Sequence, residues 1–228
     1  MFPSENIDEL LNAGRLKQAY KLSKKACVES LCEMGKLCFE GSSHFIGDQG
    51  KAMLRKGMQY ITDALKMDPF CIRGLSLAVK ITGALNDLPA LGVLEQRRAT
   101  DQHLEFIERY LELEPEDYRI RYFRAQCCFS ILNAPRLLRP LYRFVFFHPP
   151  TRTLEEIIVD FEEVQRIVAV RGMVFLENEY YLALSYLKKG ETSNAVRCLE
   201  TIEGIQADTA EQKQIKEKAR RLLLKYTT

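Results

Sequence analysis

Residues 61–69, ITDALKMDP, and residues 107–115, IERYLELEP, end in the same pattern. Each has an isoleucine, a leucine four residues later, an acidic residue and a closing proline. Apolar side chains three and four residues apart are typical of one face of an amphipathic helix, and a proline ends such a helix. The same unit, repeated 46 residues later, predicts helical hairpins that bury their apolar faces by stacking on one another. Stacked hairpins are typical of proteins that bind a partner.

The rest of the chain extends this pattern to an all-α fold. Residues 175–205 place the small residues Ala183, Gly190 and Ala195 at the spacing of a tetratricopeptide repeat, beside the large residues Leu182 and Leu199. We therefore predict a tetratricopeptide-like, right-handed helical solenoid of four to five helix pairs with a C-terminal capping helix. The whole chain, 1–228, is expected to be one domain, with an N-terminal hairpin at 1–26, an insertion at 134–150 and the capping helix at 208–226.

Two local features refine the helix boundaries. Glycines at 41, 47 and 50 predict a long loop over 41–50, preceded by separate helices over 15–25 and 29–40. Thr153 followed three residues later by Glu156 predicts a capping box that opens a strongly amphipathic helix. The aromatic residues between positions 118 and 147 are expected mainly to fill the core.

Composition narrows the class of protein. Of the 228 residues, 46% are hydrophobic, which is enough for a continuous core, and the net charge of +2 implies no particular partner. No run reaches the roughly 18 apolar residues of a membrane span, and the acidic N-terminus lacks a secretory signal, so we expect a cytoplasmic protein. Seven cysteines form no paired framework or zinc-binding spacing, so reduced thiols without a metal are expected.

No arrangement of residues indicates catalysis. The three histidines lie without a cysteine or carboxylate at triad or metal-ligand spacing, and His103 is expected to be a buried core residue. The paired glutamates after Thr153 are typical of a solvated helix face. We therefore predict a protein that is not an enzyme, needs no cofactor and does not bind nucleic acid.

Charge is distributed unevenly along the chain. Residues 117–152 contain seven arginines against one acid, a net charge of +6, and residues 155–163 follow with five acids and no base. The arginines could pair with this acidic helix, or they could bind the carboxylates of a partner, because the guanidinium fork fits two oxygens at once. On the second interpretation the candidate partner-binding residues are Arg119, Arg121, Arg124, Arg136, Arg139, Tyr142, Arg143 and Arg152.

The insertion and the helix after it resemble the regulator of microtubule dynamics family. The matching positions are Pro135, Arg139, Arg143, Phe146, Pro149, Pro150, Thr153, Glu155, Glu156 and Phe161. The resemblance implies a tetratricopeptide-like fold, association with microtubules and spindle poles, and a role in chromosome segregation. Some members of the family are membrane-anchored and are thought to bind lipid in the helical groove. This chain departs from the pattern at Pro140, where a basic residue is expected, and shows no anchoring segment.

The leading functional hypothesis is a non-enzymatic, microtubule-associated scaffold of the mitotic spindle and its poles, acting in microtubule dynamics, chromosome segregation and cell division. Its predicted partners are microtubules, through the acidic tails of tubulin, and mitotic kinases or other spindle proteins. The alternatives are a lipid-binding module that uses the apolar groove of the helical array and a generic peptide-binding adaptor.

The insertion provides a first test. Reversing Arg136, Arg139 and Arg143 to Glu is expected to lower the affinity for microtubules, because attraction to acidic tails acts within a Debye length of about 8 Å. Co-sedimentation across a salt series measures this affinity, and circular dichroism must show unchanged helicity. A folded triple variant that co-sediments like the parent would contradict a role for the insertion.

Overall fold

The computed structural model describes residues 16–45, 47–86, 93–133 and 152–227, and this part of the chain is helical without strands. The helices are α1 (Leu16–Ser42), α2 (Asp48–Met67), α3 (Ile72–Asn86), α4 (Val93–Leu113), α5 (Tyr118–Leu132), α6 (Leu154–Val170), α7 (Leu176–Lys189), α8 (Thr192–Gly204) and α9 (Ala210–Thr227). They form two compact units, Met1–Leu113 and Glu114–Thr228, which are described separately. Among the described residues, no helix has the length and apolar character that crossing a membrane requires.

In the first unit, α1 packs on α2, α2 on α3, and α3 on α4, and α1 also contacts α3. The core consists of residues from the predicted apolar faces, including the fully buried Ile61, Leu75, Ile81 and Ile107. Both repeated stretches that predicted the fold therefore contribute their isoleucine to this core. Each of the two stretches also ends its helix just before its proline, at Met67 and Leu113.

Helices α1 and α2 cross at two glycines that face each other. A Cβ atom added to Gly35 would lie 2.5 Å from Cδ1 and 2.8 Å from Cγ1 of the buried Ile61. A Cβ on Gly57 would lie 3.0 Å from Cβ of Cys38 and 3.2 Å from the carbonyl oxygen of Gly35. Backbone therefore packs nearly on backbone at this crossing, and only glycine leaves room for it.

In the second unit, α5 packs on α6, α6 on α7, α7 on α8, and α8 on α9. The α7–α8 hairpin turns at Gly190, whose φ of 90° is in the left-handed region that suits glycine at a helix end. Ala183 and Ala195 are fully buried, as are Leu182 and Leu199. The predicted all-α, tetratricopeptide-like class of paired helices is therefore confirmed.

Helix α6 begins as its sequence predicts. The backbone N–H of Glu156 donates to Oγ1 of Thr153 at 3.2 Å, and the N–H of Thr153 donates to Oε2 of Glu156 at 2.7 Å. The capping box is thus confirmed, and the buried face of α6 includes Ile157, Phe161 and Val164. This box fixes where α6 begins and so fixes the position of Asp160 two turns into the helix.

The N-terminal boundaries differ from the prediction. Helix α1 is continuous from Leu16 to Ser42, whereas two helices were predicted over 15–25 and 29–40. The residues between them, Ala26, Cys27 and Val28, include no glycine or proline, so nothing ends the helix there. The loop predicted over 41–50 is shorter, because α2 already begins at Asp48.

The predicted hairpin at 1–26 stays a prediction, because its first half lies outside the described residues. Residues 16–26 belong to the single helix α1, and residues 1–15 lie outside the described part of the chain. The insertion at 134–150 also lies outside it. Helix α9 occupies Ala210–Thr227, close to the range predicted for the capping helix. That the chain is a single domain stays a prediction.

The close crossing at Gly35 predicts that the effect of a glycine-to-alanine substitution on stability depends strongly on its position in α1. Gly35→Ala should lower the free energy of unfolding by about 1–2 kcal/mol in total. Alanine favours the helix over glycine by roughly 1 kcal/mol, but overpacking at this site costs more than that. Gly41→Ala in the same helix is the matched control, since its Cβ meets only the mobile terminal methyl of Met53. Urea unfolding measures both variants, and equal stabilities would contradict the close crossing.

Candidate functional site

Asp160 of α6 gathers three of the predicted site arginines around one buried carboxylate. Its exposed fraction is 2%. Arg124 of α5 donates from Nε at 2.9 Å and from Nη2 at 2.6 Å, one bond to each carboxylate oxygen. Arg121 of α5 and Arg152, which precedes α6, each donate from Nη1 at 3.3 Å. The pairing of arginines with the neighbouring acidic helix, one of the two alternatives from the sequence, is what the structure shows for these three.

The three arginines differ in what else they can reach. Arg124 is 7% exposed, so its bidentate pair with Asp160 is part of the core of the second unit. The side chains of Arg121 and Arg152 are 17% and 27% exposed, which leaves an edge of each at the surface. Arg121 also donates from Nη2 to the carbonyl oxygen of Pro115 at 2.8 Å.

Arg119 lies in a different environment from Arg121 and Arg124. It is exposed, its guanidinium carbon lies 5.7 Å from the ring centroid of Tyr118, and its Nε donates to the Tyr118 hydroxyl at 3.1 Å. Arg171, which ends α6, holds its guanidinium carbon 5.4 Å from the centroid of the same ring. We call Tyr118, Arg119 and Arg171 the Tyr118 clamp. One aromatic ring thus lies within cation–π distance of two exposed guanidinium groups.

The Tyr118 clamp is held in position by the cap of α5 and by aromatic packing. Asp117 caps α5 by accepting from the backbone N–H of Arg119 at 3.0 Å and of Ile120 at 3.3 Å. The ring of Tyr118 packs edge-on against Phe175 with centroids 5.8 Å apart, and Phe175 packs on Tyr122 at 4.7 Å. Two helix ends and the aromatic core therefore fix where both guanidinium groups emerge.

The Tyr118 clamp has the chemistry of a carboxylate-binding surface. Within the described part of the second unit, the carboxylates that form ion pairs with arginine engage Arg121, Arg124, Arg152, Arg166, Arg220 and Arg221, and neither arginine of the clamp is among them. The Nε of Arg119 is occupied by the Tyr118 hydroxyl, so its two terminal nitrogens and the guanidinium group of Arg171 are what can donate to carboxylate oxygens. Two such groups on one ring suit a chain of successive acidic side chains.

Sequence reasoning placed Arg119 among the candidates but missed Arg171. The charge count stopped at the acidic stretch of α6, and Arg171 lies beyond it, at the far end of the same helix. The sequence signal that could have indicated Arg171 was the predicted length of α6. A helix of that length ends near the turn that precedes α5. Arg136, Arg139, Tyr142 and Arg143 lie outside the described residues, so their role stays a prediction.

Histidine often takes part in catalysis, but His103 has a structural role. It is 8% exposed, and its Nδ1 lies 2.9 Å from Oγ1 of Thr82, across the contact of α4 with α3. The expectation of a buried core histidine is therefore confirmed. His44 is exposed in the turn after α1.

The Asp160 cluster predicts a large effect of one small substitution. Asp160→Asn should lower the free energy of unfolding by about 3–5 kcal/mol, because it removes the negative charge from the buried bidentate pair with Arg124. Glu163→Gln in the same helix removes only the half-exposed pair with Arg166 and should cost less than about 1 kcal/mol. Urea unfolding followed by circular dichroism measures both, and similar losses for the two variants would contradict the dependence of the fold on Asp160.

Comparison with known proteins identifies the family. The family model described as regulator of microtubule dynamics protein 1-3 matches residues 4–227. Regulator of microtubule dynamics protein 1 of Caenorhabditis elegans is 25% identical over 182 residues, which cover 79% of this chain and 76% of that protein. The mouse protein of the same name is 29% identical over 119 residues, 52% of this chain and 38% of the mouse protein.

Among solved structures, the crystal structure of MamA matches with a TM-score of 0.49 and 14% identity, over 80% of this chain and 94% of MamA. That similarity is too low to carry an argument about function. The family match, by contrast, spans nearly the whole length of the sequence. This chain therefore belongs to the regulator of microtubule dynamics family.

Proposed function

We propose that this protein is a non-enzymatic, microtubule-associated scaffold that acts in microtubule dynamics at the mitotic spindle and its poles. The relatives named regulators of microtubule dynamics support the general role. The observation that carries the proposal for this chain is the Tyr118 clamp, which presents two exposed guanidinium groups at fixed positions. Its ligand is an acidic, disordered segment, and the tails of tubulin have this character.

The chemistry of the Tyr118 clamp favours a peptide rich in carboxylates over a small ligand. The clamp stands on an exposed surface and not in a cavity, so it contacts side chains of an extended segment one after another. Arg121 presents a partly exposed guanidinium group on the same helix, α5, so the positive groups of this surface are not confined to the clamp. A field of this kind attracts acidic chains from a distance before direct contact forms.

The two alternatives from the sequence have less support. In the second unit, Tyr122 and Phe129 are buried and pack against Tyr181, and Tyr181 stacks on Phe161 with centroids 6.2 Å apart. Among the described residues of this unit, these rings pack on one another, which favours a filled core over a lipid-binding groove at this point. A generic peptide-binding adaptor would use the same clamp, so removal of the tubulin tails distinguishes it from the microtubule scaffold.

The test is a double charge reversal with a matched control. Arg119→Glu combined with Arg171→Glu should weaken co-sedimentation with microtubules on the order of tenfold, which corresponds to about 1.4 kcal/mol of binding free energy. Lys213→Glu combined with Lys218→Glu on α9 changes the net charge equally, at two exposed positions. This control should bind nearly as well as the parent.

Two further measurements give the mechanism. Binding of the parent should fall steeply with salt, because exposed charges are screened beyond about 8 Å at physiological ionic strength. It should also fall when a protease has removed the tubulin tails. If the folded double variant binds like the parent, the Tyr118 clamp is not the microtubule site. If binding ignores salt and tail removal, tubulin tails are not the ligand.

A further inference from the structure

Two cysteines from separate helices of the first unit lie sulfur to sulfur. Cys32 is in the middle of α1, and Cys71 is the residue immediately before α3, 39 positions away. Their Sγ atoms are 3.9 Å apart. Both are free thiols in the structure. Helices α1 and α3 pack against each other, so their packing keeps the two sulfurs close.

The two sulfurs have unlike surroundings. Cys71 is partly exposed and occupies the cap position of α3: the backbone N–H of Gly74 donates to its Sγ at 3.3 Å, and the N–H of Leu75 donates to its carbonyl oxygen at 2.9 Å. The N-terminus of a helix favours negative charge at such an acceptor, and cysteines placed there are reactive. Cys32 is fully buried, and burial together with the adjacent Cys71 raises the pKa of its thiol to about 12.

We propose that Cys71 and Cys32 form a peroxide-driven disulfide site, with Cys71 as the attacking sulfur and Cys32 as the resolving sulfur. In the first step, the Cys71 thiolate attacks one oxygen of hydrogen peroxide, the O–O bond breaks, and a sulfenic acid and hydroxide form. In the second step, the sulfur of Cys32 attacks the sulfenic sulfur, and the S–O bond breaks. The hydroxyl leaves with the thiol proton of Cys32 as water. Both sulfurs are oxidised, and the peroxide is reduced.

The geometry makes closure a local movement. A disulfide has a sulfur separation of about 2.05 Å, so the two atoms must approach by a little under 2 Å. Cys71 follows a turn, in which its own N–H donates to the carbonyl oxygen of Asp68 at 3.2 Å, and it is not yet part of the helix. Rotation of its side chain towards Cys32 therefore does not break the backbone of α1 or α3.

The partly exposed position of Cys71 sets the order of events. Peroxide in solvent reaches Cys71 and not Cys32, which is shielded by the core. The sulfenic acid that forms at Cys71 can then reach the Cys32 sulfur by a rotation of the Cys71 side chain. This inference concerns the first unit alone and does not rest on the proposed microtubule function.

The test uses peptide mapping of the full-length protein after mild hydrogen peroxide. Trypsin releases Cys71 in residues 67–73, and it releases Cys32 in residues 26–36 together with Cys27. The Cys27→Ser variant therefore leaves Cys32 as the single cysteine of the second peptide. We expect peroxide to link the two peptides in this variant, with the mass of two hydrogen atoms lost, and dithiothreitol to separate them.

Two further variants are made in the Cys27→Ser background. Cys71→Ser should abolish the link without unfolding the protein, because serine is itself a good helix cap. Cys38→Ser, at another buried cysteine of α1, should leave the link intact. The proposal is overturned if Cys27→Ser yields no linked peptides while Cys71 proceeds to sulfinic acid. It is also overturned if peroxide oxidises Cys32 as readily in Cys71→Ser as in Cys27→Ser, because Cys71 is then not the sulfur that peroxide attacks first.

Discussion

The carboxylate of Asp160 is buried in the second unit, so its charge has to be paired with a positive side chain inside the core. An unpaired charge in a protein interior costs several kcal/mol, so the fold is stable only when the guanidinium of Arg124 reaches both oxygens. This requirement ties α5 to α6 at one register, and Arg152 ties the segment before α6 to the same point. The position of Tyr118 at the start of α5 relative to Arg171 at the end of α6 follows from that register. The surface chemistry of this unit thus depends on a pair that is itself hidden from solvent.

Arginines close together in sequence have opposite roles for a geometric reason. Arg121 and Arg124 are three residues apart on α5 and therefore lie on one face, which packs on α6. Arg119 is two residues from Arg121 and lies on another face, open to solvent. A count of charges along the chain gives all three the same weight. Only the helix period, combined with knowledge of which face is buried, separates a structural arginine from one available to a partner.

The features that could be predicted from the sequence are those set by short-range rules. The capping box at Thr153, the glycine turn at Gly190 and the proline ends of α2 and α4 each depend on residues within a few positions of one another. Interactions between distant residues could not be predicted in this way. The approach of Arg171 to Tyr118, the Cys32–Cys71 contact and the three arginines on Asp160 arise from helix packing. The division of α1 into two helices was a short-range error, because Ala26, Cys27 and Val28 include no residue that ends a helix.

The crossing of Gly35 and Gly57 limits how the first unit can move. Packed helices usually adjust to binding events by sliding over one another, with side chains re-seating as they go. At this crossing neither glycine has a side chain to re-seat, and the side chain of Ile61 and the carbonyl oxygens of Gly35 and Gly57 lie close to the opposite backbone. Sliding of α1 along α2 would drive backbone into backbone. The two helices therefore move as one rigid pair when the rest of this unit changes shape.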